Sequence, residues 1–300
     1  MERPTILHMF TPGPQMSPFD VNMAADAGYQ LIVPYCHVTR EGVTSLVQDA
    51  IFSRGPKGAA RTGLFIGGRD VLLADEMLQA ARKAMFPPFQ VSLCADPSGA
   101  YTTAAAMVAC TEAALRQQGS SLEGAQVLLL GGTGPVGRVA AVLCAKHGAR
   151  AVLGSRKEAS AKEEARLTGE RFGVTLQGAG TGSPQDLRAA LAEADVVMAV
   201  AAPGVQVASE EDLASAKRLR VAVDINAVPP AGVAGLGAQD DGKPLAGTAG
   251  IGIGALAVGN VKYQVQHRLL MRMRESDKPL VIGFDEAFAE ARAVVAEKGH

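Results

Sequence analysis

The strongest constraint on this chain is the join between an apolar run and a glycine-patterned turn: Val127-Leu128-Leu129-Leu130 leads into Gly132-Thr133-Gly134-Pro135-Val136-Gly137. Consecutive apolar residues without alternation suit a strand covered on both faces, the interior strand of a parallel sheet. Beyond the turn, Val139, Val142 and Leu143 recur at helical spacing, so the turn opens a helix over Val136–Lys146. A bare GxGxxG pattern is weak, but between a buried strand and a helix it is the dinucleotide-binding fingerprint. Gly132 permits the tight turn, Gly134 lets the backbone approach a pyrophosphate, and Gly137 lets the helix pack closely on the strand. Pro135 near the helix start gives up only an N–H that has no intrahelical partner. Main-chain amides and the positive helix end would hold the anion.

The same alternation runs along the whole chain. Ile6–Phe10, Leu31–Tyr35, Gly63–Ile66 and Gln90–Ala95 read as strands, with helix-period segments at Gly42–Phe52, Val71–Met85 and Thr102–Gln117. A second series follows the polar turn Gln117–Ser121. Its strands are expected at Gln126–Leu130, Ala151–Leu153, Val174–Leu176, Val196–Ala201 and Val221–Ile225. Helices at about Ala159–Phe172, Pro184–Ala192 and Glu210–Ala216 lie between those strands. Such alternation specifies α/β architecture with parallel sheets. The expected organisation is an N-terminal α/β substrate domain over residues 1–100 and a Rossmann-type, doubly wound NAD(P)-binding domain over 101–300, joined between Pro97 and Ser121. Two last helices, at Gly254–Arg274 and Asp285–Glu297, are expected to return to the first domain.

Composition removes several classes. A formal net charge of −1 gives no basic surface for nucleic acid. The four cysteines are far apart with no CxxC pair or zinc spacing, so free thiols, buried or half-buried, in a reducing compartment are expected. The charge-free stretch from Pro244 to Val261 is punctuated by five glycines, which argues against a membrane span, and Met1-Glu2-Arg3-Pro4 begins no signal peptide. A cytoplasmic protein is expected.

At the end of the next strand an NAD-preferring site carries Asp or Glu for the ribose hydroxyls. Here the residues are Gly154-Ser155-Arg156-Lys157. Arg156 could grip a 2′-phosphate in bidentate fashion, Lys157 as a point charge, and Ser155 through its hydroxyl. A solvated pair at a helix entrance is the alternative; NADP is the preferred cofactor, with NAD also open. No tyrosine has a lysine four residues on, the five histidines form no local cluster, and there is no GxSxG elbow. The chemistry is therefore expected to need no strong acid or base.

Several stretches then resemble one family, the methylene-tetrahydromethanopterin dehydrogenases of methylotrophic bacteria. They are Met16–Ala24, Ile51–Arg54, Phe65–Gly68, Ala95–Gly99 with Thr102-Thr103, Asp224–Gly232 and Gly252–Gln264. Over the whole chain the likeness is to the NAD(P)-using branch, whereas the phosphate loop and Ser155-Arg156-Lys157 look more like the NADP-dependent branch. The resemblance implies hydride transfer from methylene-tetrahydromethanopterin within formaldehyde oxidation, and homo-oligomeric assembly. A methylene-tetrahydrofolate dehydrogenase and a non-catalytic NADP-binding sensor are the alternatives. A carbon between two nitrogens can release hydride to give an amidinium-like cation, which accounts for the missing acid and base.

The resemblance places Lys262 in the active site, where it would orient a polar group of the pterin. Asp20 could accept from the pterin's amino and ring N–H groups, or cap the helix that follows it. Thr102 and Thr103 could line the cleft or cap their helix. Asn226, just past a buried strand, is expected to touch the nicotinamide or substrate, or else to form a turn. Ala201, Ala202 and Gly204 are small enough to let a dinucleotide pass, or simply make a turn.

Overall fold

Val127, Leu128, Leu129 and Leu130 are each at most 2% exposed, so the apolar run is buried on both faces as its composition requires. Truncating one such leucine to alanine costs ~2–5 kcal/mol in comparable cores. The computed structural model describes residues 3–299. It divides into two compact units, Met1–Thr102 with Tyr263–Glu290, and Thr103–Lys262 with Ala291–His300.

In the first unit the strands are β1 (Ile6–Phe10), β2 (Leu31–Tyr35), β3 (Thr62–Ile66), β4 (Ser92–Ala95) and, far along the chain, β12 (Val281–Ile282). They form one parallel sheet in the order β12-β4-β3-β1-β2. The helices are α1 (Pro18–Asp26), α2 (Val43–Phe52), α3 (Gly55–Ala59) and α4 (Val71–Lys83). Asp70 caps α4 by accepting from the amides of Leu72 and Leu73.

The second unit carries β5 (Gln126–Leu130), β6 (Arg150–Ser155), β7 (Gln177–Gly180), β8 (Val196–Ala199), β9 (Val221–Asp224), β10 (Asp241–Pro244) and β11 (Ile251–Ile253). Their order is β10-β11-β9-β8-β5-β6-β7, parallel except for β10. Connections from β5 run first towards β7 and then, from β8, towards β11. The direction reverses between β5 and β8, which is where open α/β sheets bind ligands at their strands' carboxyl ends. Helices α6 (Pro135–Lys146), α7 (Glu158–Phe172), α8 (Pro184–Glu193) and α9 (Glu210–Leu213) connect these strands. Helices α5 (Ala100–Gln117), α10 (Ala255–Glu275) and α11 (Phe284–Glu297) contain the division points between the units.

Two expectations need correcting. The strand expected at Val174–Leu176 lies instead at Gln177–Gly180, a run with little apolar character. The cause is close packing by α7: a Cβ on Gly178 would sit 2.3 Å from the backbone of Ala161 and Lys162. A strand pressed that tightly against a helix has no room for the side chains that make strands recognisable. The thiols are free, and Cys94 and Cys144 are buried, but Cys36 is exposed. Burial pushes the Cys144 thiol up to about 12. Gly178→Ala is expected to destabilise the second unit by ~1–3 kcal/mol through overpacking; denaturant unfolding followed on that unit checks it.

Candidate functional site

The glycine loop is built by backbone contact at the point where the strand order reverses. Gly131 leaves β5 at φ +75, and a Cβ there would lie 2.7 Å from the Cα of Ala201. The two segments beside that point are thus in backbone contact, and Val200 donates its amide to the Leu130 carbonyl at 2.9 Å. Gly132 donates to the carbonyls of Leu129 and Gly154 at 3.1 and 3.0 Å, which ties the turn to β6. A Cβ on Gly137 would sit 2.5 Å from the Gly132 carbonyl oxygen, so α6 rests on the turn itself.

Gly134 is different. It caps α6 at φ −75, and a Cβ there would meet only the Gly131 oxygen, at 3.8 Å. The space above it is open. Among the described residues, no backbone acceptor takes the amides of Thr133, Val136 or Gly137, while Arg138 donates to Gly134 and starts the helix. Open space over a glycine together with unspent amides at a helix N-terminus suits a pyrophosphate, so the residues present fit NAD(P).

Ser155 ends β6 half-buried, and its carbonyl accepts from the Thr181 amide at 2.8 Å. Arg156 and Lys157 follow, both exposed, with Lys157 at the N-cap of α7. The adjacent Glu158 pairs with Lys162 at 2.6 Å. The loop after β7 closes over this corner: a Cβ on Gly182 would stand 2.4 Å from the Arg156 carbonyl oxygen. Sequence reading missed Thr181 and Gly182, because nothing local marks residues required by the end of a strand 26 positions earlier in the chain.

Ala201 is half-buried and Ala202 exposed, just past β8. Asn226 is buried, and its side chain bonds to the chain itself. Its Oδ1 accepts from Gly204 at 3.1 Å and Val228 at 2.9 Å, and its Nδ2 donates to the Pro230 carbonyl at 2.8 Å. The Asn226 side chain thus shapes the turn after β9.

In the first unit, Ser17 rather than Asp20 occupies the N-cap of α1. Asp20 lies in the first turn, 3% exposed, and accepts from Gln266 Nε2 at 2.8 Å. Gln266 is itself buried on α10, and only the fold links residues 246 apart. Thr102 is 2% exposed, with its hydroxyl donating to Asp96 Oδ2 at 2.6 Å. Asp96, fully buried, also accepts from the amides of Tyr101 and Thr102, so this carboxylate is what caps α5. The hydroxyl of Thr102 is committed to that cap, whereas Thr103 is half-buried. Lys262 is half-buried on α10.

The strained backbone of this unit gathers where its strands end. Ser98, just beyond β4, sits at φ 53 and donates its hydroxyl to the Gly68 carbonyl at 2.9 Å. Non-glycine residues held there cost of order 1–3 kcal/mol and cluster at ligand sites. The stretches Phe65–Gly68 and Ala95–Gly99 run out of the carboxyl ends of β3 and β4, and Met16–Ala24 follows that of β1.

A mostly parallel sheet with this loop at its reversal point defines a Rossmann-type fold. Solved structures share it at low identity: quinate dehydrogenase from Corynebacterium glutamicum in complex with NAD has 13% identity and a TM-score of 0.53, covering 98% of this chain and 99% of that one. An NAD-dependent malic enzyme from Thermotoga maritima has 14% identity and a TM-score of 0.54, over 97% and 84% of the two chains. A family model, methylene-tetrahydromethanopterin dehydrogenase, N-terminal, matches residues 18–98. The chain is 46% identical, over 95% of its length and 96% of the relative's, to the NAD(P)-dependent methylenetetrahydromethanopterin dehydrogenase of Methylorubrum extorquens. It is also 33% identical, over 91% of its length and 93% of the relative's, to the bifunctional protein MdtA of the same organism. The chain belongs to the methylene-tetrahydromethanopterin dehydrogenase family.

Two glycines of the loop should respond differently to the same change. Gly134→Ala is expected to keep stability within ~0.5 kcal/mol, since its Cβ enters open space, yet to weaken dinucleotide binding by about tenfold or more. Gly137→Ala is expected to destabilise by ~1–3 kcal/mol. Thermal unfolding alongside calorimetric titration with NADP checks both, and equal destabilisation at the two positions would contradict the packing described.

Proposed function

We propose that this protein is an NAD(P)-dependent dehydrogenase that converts methylene-tetrahydromethanopterin to its methenyl form. The observation that carries the reading is 46% identity, over nearly the full length of both chains, to a relative named for that activity. The open, amide-lined glycine loop supports a dinucleotide as the partner of the reaction. Bound NAD(P) supplies the hydride acceptor. The methylene carbon stands between two nitrogens whose lone pairs take up the positive charge as hydride leaves, so no side chain has to move a proton. What remains for the protein is orientation and exclusion of water, and positioning of this kind is worth up to roughly 7–11 kcal/mol in well-aligned reactions.

Residue roles follow from this reading. The loop Gly132–Gly137 binds the pyrophosphate, and Ala201, Ala202 and Asn226 border the dinucleotide beyond it. Ser155, Arg156 and Lys157 bind a 2′-phosphate, which makes NADP the preferred cofactor; the support is two exposed cations and no competing carboxylate, since Glu158 is paired with Lys162. Asp20, with its carboxylate fixed by Gln266, accepts from the pterin's N–H groups, and its charge suits a cationic product. Lys262 orients the pterin, and Thr103 lines its site. Thr102 acts through Asp96 as part of the α5 cap.

The proposed assembly is a homo-oligomer, supported by Leu31 and Val33, 47% and 37% exposed on the edge strand β2. Among the described residues no helix is long and apolar enough to cross a membrane. The cytoplasm is the proposed compartment, supported by four cysteines that form no disulfide among themselves.

A spectrophotometric assay with methylene-tetrahydromethanopterin and each nicotinamide cofactor tests the function; no turnover with that pterin would overturn it. The double variant Arg156→Ala, Lys157→Ala is expected to raise KM for NADP by about tenfold or more while leaving KM for NAD within about twofold. Lys262→Ala is expected to lower turnover without weakening NADPH binding.

A further inference from the structure

Asp224 has no place in the reading above, and its surroundings are unusual. It is the last residue of β9, 1% exposed, and among the described residues no cation pairs with it. Two backbone amides do: Asn226 donates to Oδ1 at 2.8 Å and Val233 donates to Oδ2 at 3.1 Å. Burial pushes the carboxyl's pKa up, and these amides oppose the shift. The cost of burying a carboxylate is thus met only by the loop that it folds around itself.

That loop, residues 225–233, is stitched to the one after β8. Gly232 accepts from Val207 and Ala208 at 2.8 and 3.1 Å, and Ala234 donates to the Ala208 carbonyl at 2.9 Å. Asn226 Oδ1 bridges the two loops by accepting from Gly204 and Val228 together. Contact is close enough that a Cβ on Gly232 would meet Asp224 Oδ1 at 2.9 Å. The joined loops expose two large apolar side chains, Val205 at 46% and Val228 at 51%, in a unit whose other valines are mostly buried. Val228 approaches the Cβ direction of Gly204 at 3.8 Å, which places it beside the neighbouring loop.

This platform follows the carboxyl ends of β8 and β9, on the opposite side of the glycine loop from Arg156 and Lys157. In a doubly wound sheet the two halves of a dinucleotide divide in that way across the reversal point. We propose that Asp224 and Asn226 are positioning residues for the nicotinamide half of the cofactor, locking the loops after β8 and β9 into one platform that presents Val205 and Val228 to it. The Asp224 carboxylate need not touch the cofactor. The inference rests on the reading of the glycine loop as the dinucleotide site.

A binding measurement separates the two halves. NADPH carries both, whereas 2′,5′-ADP carries only the adenosine 2′-phosphate half. Asp224→Asn keeps the volume but removes one acceptor, and Asn226→Ala removes the bridge; the second serves should the first fail to fold. Each is expected to raise the Kd for NADPH, followed by nicotinamide fluorescence, by about tenfold. Binding of 2′,5′-ADP by calorimetry is expected to stay within about twofold of wild type. Equal losses for both ligands would mean a general structural role and overturn the proposal, as would unchanged NADPH binding. Failure of the wild-type protein to bind either ligand would instead refute the cofactor site itself, and this proposal with it.

Discussion

The rest of the second unit depends on main chain lying against main chain at the turn after β5. The first turn of α6 is seated on Gly132 so closely that Gly137 has no room for a side chain, and Gly131 meets Ala201 across the reversal point with equally little clearance. Both contacts are steric and non-negotiable. They force the helix N-terminus to face the carboxyl edge of the sheet, leaving its unpaired amides where an anion can reach them. Only Gly134, within the same six residues, is held open.

Much else can be read as a consequence. Neighbouring corners are closed by backbone on backbone too, as at Gly178 beneath α7 and Gly182 over Arg156. Polar side chains near the strand ends are spent on shaping loops rather than on offering protons. Asp96 caps α5, Asp224 folds the β9 loop, and Asn226 bridges two loops. Such a protein is well made for holding two partners still and poorly equipped for acid–base work. Hydride release from a carbon flanked by two nitrogens asks for the first and not the second.

The fold was legible where side chains carry the signal. Continuous apolar runs such as Val127–Leu130 and Val196–Ala199 marked buried parallel strands, and the glycine spacing marked the turn between strand and helix. Legibility failed where the backbone itself is the contact surface, which is why β7 was displaced by three residues and why the short strand Ile251–Ile253 hid within a glycine-rich stretch. Among the candidate site residues, Arg156 and Lys157 could be read from their place after β6. Gln266 could not, because its bond to Asp20 spans 246 positions and no local pattern announces it. Thr102 and Asn226 stand out in the sequence, but only the fold engages their side chains with Asp96 and with the loops.

The central claim is that phosphate is held by the main-chain amides of Thr133, Val136 and Gly137. Amide NMR of the labelled protein during titration with NADP addresses it directly. The account predicts large, saturable shifts and slowed hydrogen exchange at these three amides, ahead of those elsewhere in α6. Saturable NADP binding that left all three unperturbed would contradict it.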